Sequence, residues 1–112
     1  DLVREFAKRN IAYLHVIATP GAVPDSSVQA IRSAFPGALM LAGDFNRERA
    51  EAALSSGIAD LIAFGRPFIG NPDLPTRLLK NIALNAFNPD QLYTPGPQGY
   101  SDYQTYAEAI PA

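Results

Sequence analysis

Residues 59–74 of this chain read ADLIAFGRPFIGNPDL, and this stretch decides the fold. Its apolar run at residues 61–64 predicts a buried strand. Gly65 and Arg66 follow at the strand's carboxyl end, and the next Asn-Pro-Asp sequence predicts a helix capped by Asn71. α/β proteins bind ligands at such strand ends. Glycine lets a ligand approach the backbone, and arginine offers a planar charged fork suited to phosphate.

Two further strand–helix units precede this stretch. Residues 12–17 and 38–42 form apolar runs, which are typical of strands buried on both faces. Each run is followed by apolar residues at helical spacing. The resulting βαβαβα order predicts an α/β fold in which the three strands are parallel and adjacent in chain order.

The helix boundaries are marked by capping residues. A helix is predicted over residues 2–8, and Asp25 or Ser26 is expected to cap the next one. Asn46 is expected to cap the helix that ends at Gly57, where glycine can adopt the left-handed conformation. Proline, glycine and tyrosine then dominate from residue 85 onward. We therefore predict a partial domain at residues 1–84 and a loop-rich C-terminal extension at residues 85–112 that packs on it.

Composition bounds the class of protein. The chain has 112 residues, of which 47% are apolar and 18% charged, values that belong to a folded core rather than to a disordered chain. Its net charge of −2 gives no electrostatic footprint for nucleic acid or an anionic membrane. It has no cysteine, which excludes disulfides and cysteine-ligated metal and fits a reducing compartment. We expect a cytoplasmic protein without a metal site or a transmembrane segment.

Three parallel strands make an incomplete domain. A three-stranded sheet has two open edges, and strands as apolar as these require cover on both faces. The first residue is Asp1, and the opening residues resemble a helix already under way, so the chain is expected to be cut from something longer. The missing strands are expected to come from the remainder of that molecule or from another copy of this chain.

The decisive stretch, taken as residues 60–75, strongly resembles the last barrel strand of the old yellow enzyme family. Residues 13–16 resemble the family's sixth strand, and residues 41–45 its seventh strand and phosphate turn. Residues 85–93 and 99–103 resemble its C-terminal extension. The resemblance implies that the chain is the last three βα units of a (β/α)8, or TIM, barrel plus a tail, and hence an incomplete barrel.

Members of this family are FMN-dependent ene reductases and NADH:flavin oxidoreductases. The resemblance therefore implies an oxidoreductase flavoprotein that uses FMN and is reduced by NADH or NADPH. It assigns the FMN phosphate to Gly43 and Asp44 after strand seven and to Gly65 and Arg66 after strand eight. Barrel phosphate sites commonly use these two loops, with backbone N–H groups and a helix N-terminus facing the anion. Asp44 stands where the family has Gly or Asn, so its carboxylate must point away from the phosphate.

The tail and the catalytic residues complete the prediction. Leu92 and Tyr93 resemble an aromatic pair that borders the flavin and the substrate, although Leu92 replaces the usual Phe and Tyr93 could equally pack on a core. The family's substrate-binding pair and its proton-donating Tyr lie in earlier strands, so no catalytic residue is expected here. His15, in the middle of an apolar strand, is interpreted as a packed strand histidine.

Other interpretations of the charged residues stay open. Arg66 could form an ordinary ion pair, and Gly65 taken alone could be a turn glycine. The charges at residues 47–51 fit a solvated helix face, and Asp60 and Asp73 fit turn and helix-start carboxylates.

Two functions follow. The resemblance implies that the chain is the C-terminal portion of an FMN-dependent enzyme that reduces activated alkenes with NAD(P)H, and we expect the isolated chain to be inactive. Alternatively, it is a truncated α/β remnant that self-associates, binds at most a phosphate-containing ligand and has no catalytic activity.

Overall fold

The computed structural model describes residues 1–109. In chain order the elements are α1 (Leu2–Ala7), β1 (Tyr13–Ile17), α2 (Asp25–Ala34), β2 (Ala38–Ala42), α3 (Arg47–Ser56), β3 (Leu61–Ile62), α4 (Arg66–Gly70), α5 (Leu74–Lys80), a 3-10 turn (Pro89–Gln91) and α6 (Tyr106–Ala109). They divide into two compact units, residues 1–64 and the described residues from Gly65 onward. The predicted division after residue 84 stays a prediction. Within residues 1–109 no helix has the length and apolar character needed to cross a membrane.

The first unit contains a parallel sheet with the strand order β1-β2-β3. In the register, His15 pairs with Met40, which in turn pairs with Leu61. Parallel, neighbouring strands in chain order are therefore confirmed, as is the α/β class. They form because β-strands that are joined by helical crossovers pair in parallel.

The two faces of this sheet differ. Leu39 and Leu41 are buried on the face that packs with Val28 of α2 in the hydrophobic core. On the other face Tyr13 is 53% and Ile17 is 70% exposed. Burial on both faces, which the apolar runs predicted, is thus wrong for this chain by itself, because strand residues alternate between faces and only one face is covered.

Two of the predicted boundaries in this unit need correction. The third strand ends at Ile62 instead of residue 64. The Ala63 N–H still donates to the Leu41 carbonyl (2.8 Å), but the chain leaves the strand direction after this bond, and α4 begins at Arg66. The N-cap of α2 is Pro24, whereas Asp25 is the first helical residue and makes no capping hydrogen bond. Neither Asp25 nor Ser26 caps the helix.

The other helix-end predictions in this unit are confirmed. The Asn46 side chain accepts a hydrogen bond from the Arg49 N–H (2.8 Å) at the start of α3. Gly57 ends α3 in the left-handed conformation, with φ of 78°. Both residues act through local geometry, so nearby sequence was enough to identify them.

The second unit begins with two short helices where one was predicted. Arg66 is the first residue of α4, and Asn71 is the residue after its end, not the cap of a following helix. Helix α5 starts after Asp73, with a proline in its first turn. Asn71 is diverted because its fully buried amide binds the backbone of the following tail instead of the helix start.

The tail follows α5 and contains only a 3-10 turn and α6 among its described residues. Residues 85–109 thus hold little regular structure, and the prediction that this extension packs on the preceding residues stays a prediction. Residues 110–112 of the predicted extension lie outside the described residues.

Candidate functional site

The first predicted phosphate loop, Gly43–Asp44, follows β2 directly. Gly43 has φ of 127° and Asp44 has φ of 51°, both in the region that favours glycine. A Cβ on Gly43 would lie 2.7 Å from the carbonyl carbon of Ala18 and 2.8 Å from the Thr19 nitrogen. Glycine is therefore required here by the chain itself, because the backbone after β1 passes directly over its α-carbon.

Arg49 holds this loop in place, a role that the sequence did not indicate. Its guanidinium donates to the carbonyl oxygens of Gly43 (3.3 Å) and Asp44 and stacks over the Phe45 ring, 4.7 Å from the centroid. The interpretation of residues 47–51 as a wholly solvated face is wrong for Arg49. The sequence did place an arginine in the first turn of the helix that follows Gly43 and Asp44. It does not reveal the direction of the two carbonyl groups, and the role of Arg49 depends on that direction.

The loop keeps its N–H groups available. Outside the regular strands and helices, no backbone hydrogen bond in residues 1–109 is donated by Gly43, Asp44 or Phe45. The Asp44 side chain is exposed and forms no ion pair with any described residue. Arg49 occupies the loop's carbonyl oxygens, and the loop's N–H groups are free. This arrangement favours an anion over a cation as the ligand.

The second predicted loop, Gly65–Arg66, has a different character. A Cβ on Gly65 would meet nothing within 4 Å, so the space beside its α-carbon is open. Arg66 is exposed and has no salt bridge or side-chain hydrogen bond to any residue within 1–109. The alternative of a strand-end ion pair is thus not realised among the described residues. The two loops belong to different units, so their convergence on one anion stays a prediction.

The predicted flavin border, Leu92 and Tyr93, lies in the tail just after the 3-10 turn. Leu92 is half-buried and Tyr93 is 96% exposed. The surrounding segment is bonded to itself: the Asn88 N–H donates to the Tyr103 hydroxyl (2.7 Å), and the Gly99 N–H donates to Asp102 (2.7 Å). Tyr93 therefore does not pack on a core in this unit.

The remaining titratable candidates are structural. The Leu39 N–H and the Arg32 guanidinium hold the pKa of Asp60 below its usual range, and the Tyr106 N–H and Arg77 do the same for Asp73. Both carboxylates bridge elements, so they are more than turn and helix-start residues. His15 is exposed on the open sheet face and not packed, because the strand alternation places it there. No cluster of potential metal ligands occurs within residues 1–109.

The first unit also contains a groove of about 710 Å³ on its helical side, between α2 and α3. Val28, Leu41 and Phe45 line it, together with Arg32 and Arg49. Both guanidiniums are already engaged, by Asp60 and by the loop carbonyls respectively. Because neither guanidinium is available to a ligand, the groove is a weaker candidate for an anion than the loop after β2, whose N–H groups are free.

Comparison with known proteins identifies the family. The sequence model of the NADH:flavin oxidoreductase / NADH oxidase family matches residues 2–85. The chain belongs to this family. The resemblance to the old yellow enzyme family is thereby confirmed, and the relatives are oxidoreductases.

Individual relatives agree. The chain is 41% identical to a 12-oxophytodienoate reductase-like protein of Solanum lycopersicum over 91% of its own length and 29% of the relative's. It is 38% identical to 12-oxophytodienoate reductase 2 of Arabidopsis thaliana with the same coverage. The chain thus spans about three tenths of the length of these curated relatives.

Solved structures give the same family. A structure of morphinone reductase in complex with tetrahydroNAD matches with a TM-score of 0.84 and 40% identity, over 93% of this chain and 28% of that one. The old yellow enzyme homologue of Zymomonas mobilis matches with a TM-score of 0.83 and 38% identity, over 91% and 30%.

Proposed function

We propose that this chain is the C-terminal portion of an FMN-dependent oxidoreductase that reduces activated alkenes with NAD(P)H, and that it supplies the FMN phosphate-binding loops. In this proposal its three βα units are the last three of a (β/α)8 barrel. The observation that carries the proposal is Arg66, an exposed guanidinium at a strand end that pairs with no described residue, beside the open space at Gly65.

The residues present fit a phosphate group. Backbone N–H groups at Gly43 and Asp44 are free for an acceptor, and Arg66 supplies a charge that suits phosphate oxygens. Arg49 fixes the carbonyls of the first loop. The loop is therefore already ordered before the anion binds, and binding does not have to supply the free energy of ordering it. The Asp44 carboxylate is exposed, which leaves it free to point towards solvent.

Each residue then has a defined task. Gly43, Asp44 and Gly65 would bind phosphate oxygens through their N–H groups, and Arg66 would hold the same group by charge. Leu92 and Tyr93 would border the flavin and exclude water from the substrate. When bound, FMN supplies hydride transfer between the nicotinamide and the alkene. Groups that polarise or protonate the alkene are assigned to other parts of the full-length protein.

The experiment compares FMN with riboflavin, which lacks the phosphate, in the full-length protein that carries this sequence. Arg66→Ala should remove roughly 1.5–3 kcal/mol of charged hydrogen bonding. The affinity for FMN should then fall by about ten- to a hundredfold, whereas the affinity for riboflavin should not change. Arg66→Lys should restore only part of the loss, because a point charge does not replace the fork.

Arg9→Ala provides the matched control, because Arg9 is also exposed and outside every described salt bridge. It should leave both affinities unchanged. If Arg66→Ala keeps the wild-type preference for FMN over riboflavin, Arg66 does not hold the phosphate and the proposal fails.

The open sheet face favours a second candidate, in which the chain is a remnant that self-associates without catalysis. Tyr13, Ile17 and Leu61 are large, exposed and apolar on this one face. Apolar patches of this kind mark surfaces that another chain segment covers. We propose that either the remainder of the barrel or another copy of the chain covers it. Sedimentation of the isolated chain tests this: self-association would support cover by another copy, whereas a stable monomer that unfolds cooperatively would contradict the need for any cover.

A further inference from the structure

One polar cluster in the second unit, Asn71, Asp73 and Arg77, holds two distant parts of the tail; we name it the tail anchor. Asn71 is fully buried. Its side-chain amide donates to the Asn85 carbonyl (3.1 Å), and its side-chain oxygen accepts from the Asn85 N–H (2.7 Å). Both backbone groups of Asn85 are thus satisfied by one side chain, which fixes where the tail begins.

The other two members of the tail anchor fix where the tail returns. Arg77 donates to Asp73 (2.9 Å), to the Ala83 carbonyl (2.7 Å) and to the Gln104 carbonyl (3.4 Å). The second oxygen of Asp73 accepts from the Tyr106 N–H (2.8 Å) at the start of α6. The Asp73 and Arg77 side chains are only 16% and 4% exposed, so the bonds of Arg77 are partly shielded from water, whereas the bond from the Tyr106 N–H is exposed.

The two ends of the tail also bind each other directly. The Asn85 side chain donates to the Gln104 carbonyl (3.0 Å), and the same carbonyl accepts from Arg77. Residues 86–103, which we name the tail loop, therefore leave and return at one point. Because the other described hydrogen bonds of the tail loop are made within the loop, its hydrogen-bonded connection to the rest of the unit runs through that base.

We propose that the tail anchor is the positioning element for the tail loop, and through it for Leu92 and Tyr93. This inference rests on the proposed function, which assigns those two residues to the border of the flavin and the substrate. Asp73 is the central link, because its two oxygens divide between the arginine that binds Gln104 and the backbone of Tyr106. The anchor touches neither flavin nor substrate, so its effect on the reaction is indirect.

Gly70 offers an independent way to disturb the same base without removing a polar group. It is buried, and a Cβ there would lie 3.1 Å from the Asn85 oxygen and 3.2 Å from the Phe87 nitrogen. The tail must then give way by a few tenths of an ångström. Gly70→Ala and Asp73→Asn thus act on the tail base by different physical routes.

The matched control is Asp60→Asn. Asp60 also accepts from a backbone N–H, that of Leu39 (2.9 Å), and from an arginine, Arg32 (2.8 Å), but within the first unit. The three variants are made in the full-length protein that carries this sequence. Amide hydrogen exchange is measured with and without FMN, together with the FMN affinity and the kcat and KM for cyclohexenone as an activated alkene.

Asp73→Asn and Gly70→Ala should each accelerate exchange in residues 86–103 by about tenfold or more, and leave β1 and β2 unchanged. The KM for cyclohexenone should rise several-fold, by a larger factor than any loss of FMN affinity, because the proposed phosphate loops are left intact. Asp60→Asn should give neither change. If Gly70→Ala, which removes no charge, gives the same changes in exchange and KM as Asp73→Asn, the loss of charge alone does not explain them.

Three results would overturn the inference: unchanged exchange in the tail loop, equal acceleration in the strands, or faster tail-loop exchange with an unaltered KM. Failure of the proposed function looks different. In that case the wild-type protein neither binds FMN nor reduces cyclohexenone, and the exchange pattern alone decides whether the tail anchor holds the loop.

Discussion

The two units of this chain are stabilised by different chemistry. In the first unit the buried side chains are apolar, and Leu39 and Leu41 form the centre of the core. In the second unit two of the buried residues, Asn71 and Arg77, are polar or charged. An apolar core tolerates many substitutions that preserve volume, whereas a buried polar network requires each of its members. The units should therefore respond differently to the same kind of mutation.

The largest effect is expected in the apolar core of the first unit. Leu39→Ala removes a fully buried side chain and leaves a cavity, so the free energy of unfolding should fall by about 3–4 kcal/mol. Leu61→Ala, on the face of the neighbouring strand that this chain leaves open, should cost less than Leu39→Ala, because only a segment from outside this chain could pack on it. Urea denaturation of both variants measures the difference. Equal losses would mean that the open face is as well packed as the core.

The next effect contrasts two ion pairs of similar chemistry. Arg77→Ala strips the partner from a shielded carboxylate and leaves two carbonyls without their donor, so a loss of about 3 kcal/mol is expected. Arg32→Ala breaks the pair with Asp60, which is more exposed, and should cost at most about 1 kcal/mol. The comparison fails if thermal and urea denaturation give the two variants the same stability.

A smaller effect separates the two predicted phosphate loops. Gly43→Ala introduces a Cβ against the Ala18 backbone at a positive φ and should destabilise the protein by about 2 kcal/mol. Gly65→Ala points its methyl group into open space and should change stability by less than about 0.5 kcal/mol. Calorimetry tests stability, and FMN binding tests whether the space at Gly65 is used by a ligand.

The smallest effect concerns pH. In the folded protein the pKa values of Asp60 and Asp73 are held below their usual range, first by the backbone N–H groups of Leu39 and Tyr106 and then by the paired arginines. A lowered folded pKa stabilises the protein above the unfolded value, about pH 4, and this contribution disappears as the pH falls through the folded pKa. Unfolding midpoints should therefore be flat near neutral pH and decline below about pH 4.

Two single substitutions show how much each unit contributes to this loss of stability at low pH. Asp60→Asn should flatten the acid response of amides in the first unit, and Asp73→Asn that of amides near residues 85 and 104. Hydrogen exchange at several pH values measures both. If neither substitution alters the acid response, that response arises from other carboxylates.

Local sequence predicted the first unit better than the second. The parallel strand order, the Asn46 cap and the left-handed Gly57 all follow from patterns within a few residues. Asn71 failed as a predicted cap because its partner, Asn85, lies 14 residues away. A side chain that is suited to a helix start can serve a distant backbone equally well, and sequence spacing does not tell these uses apart.

The candidate site divides in the same way. The family, and the residue types at Gly43, Gly65 and Arg66 on which the proposed phosphate site rests, were evident from the sequence, because each lies in a short motif. Arg49 was missed, since its role depends on the direction of two carbonyls. The sequence also did not show that the Ala18 backbone requires glycine at position 43, whereas the space beside Gly65 is open.

The sequence by itself thus determined the α/β class, the strand order and the family, because hydrophobic periodicity and short motifs are local properties. Tertiary structure alone decided that one sheet face stays open, that Arg77 is buried, and that Asn85 and Gln104 meet at one point. Those facts depend on which distant groups reach each other once the chain has folded. The free energy of a buried polar group depends on the partners it finds there, and its own identity does not specify them.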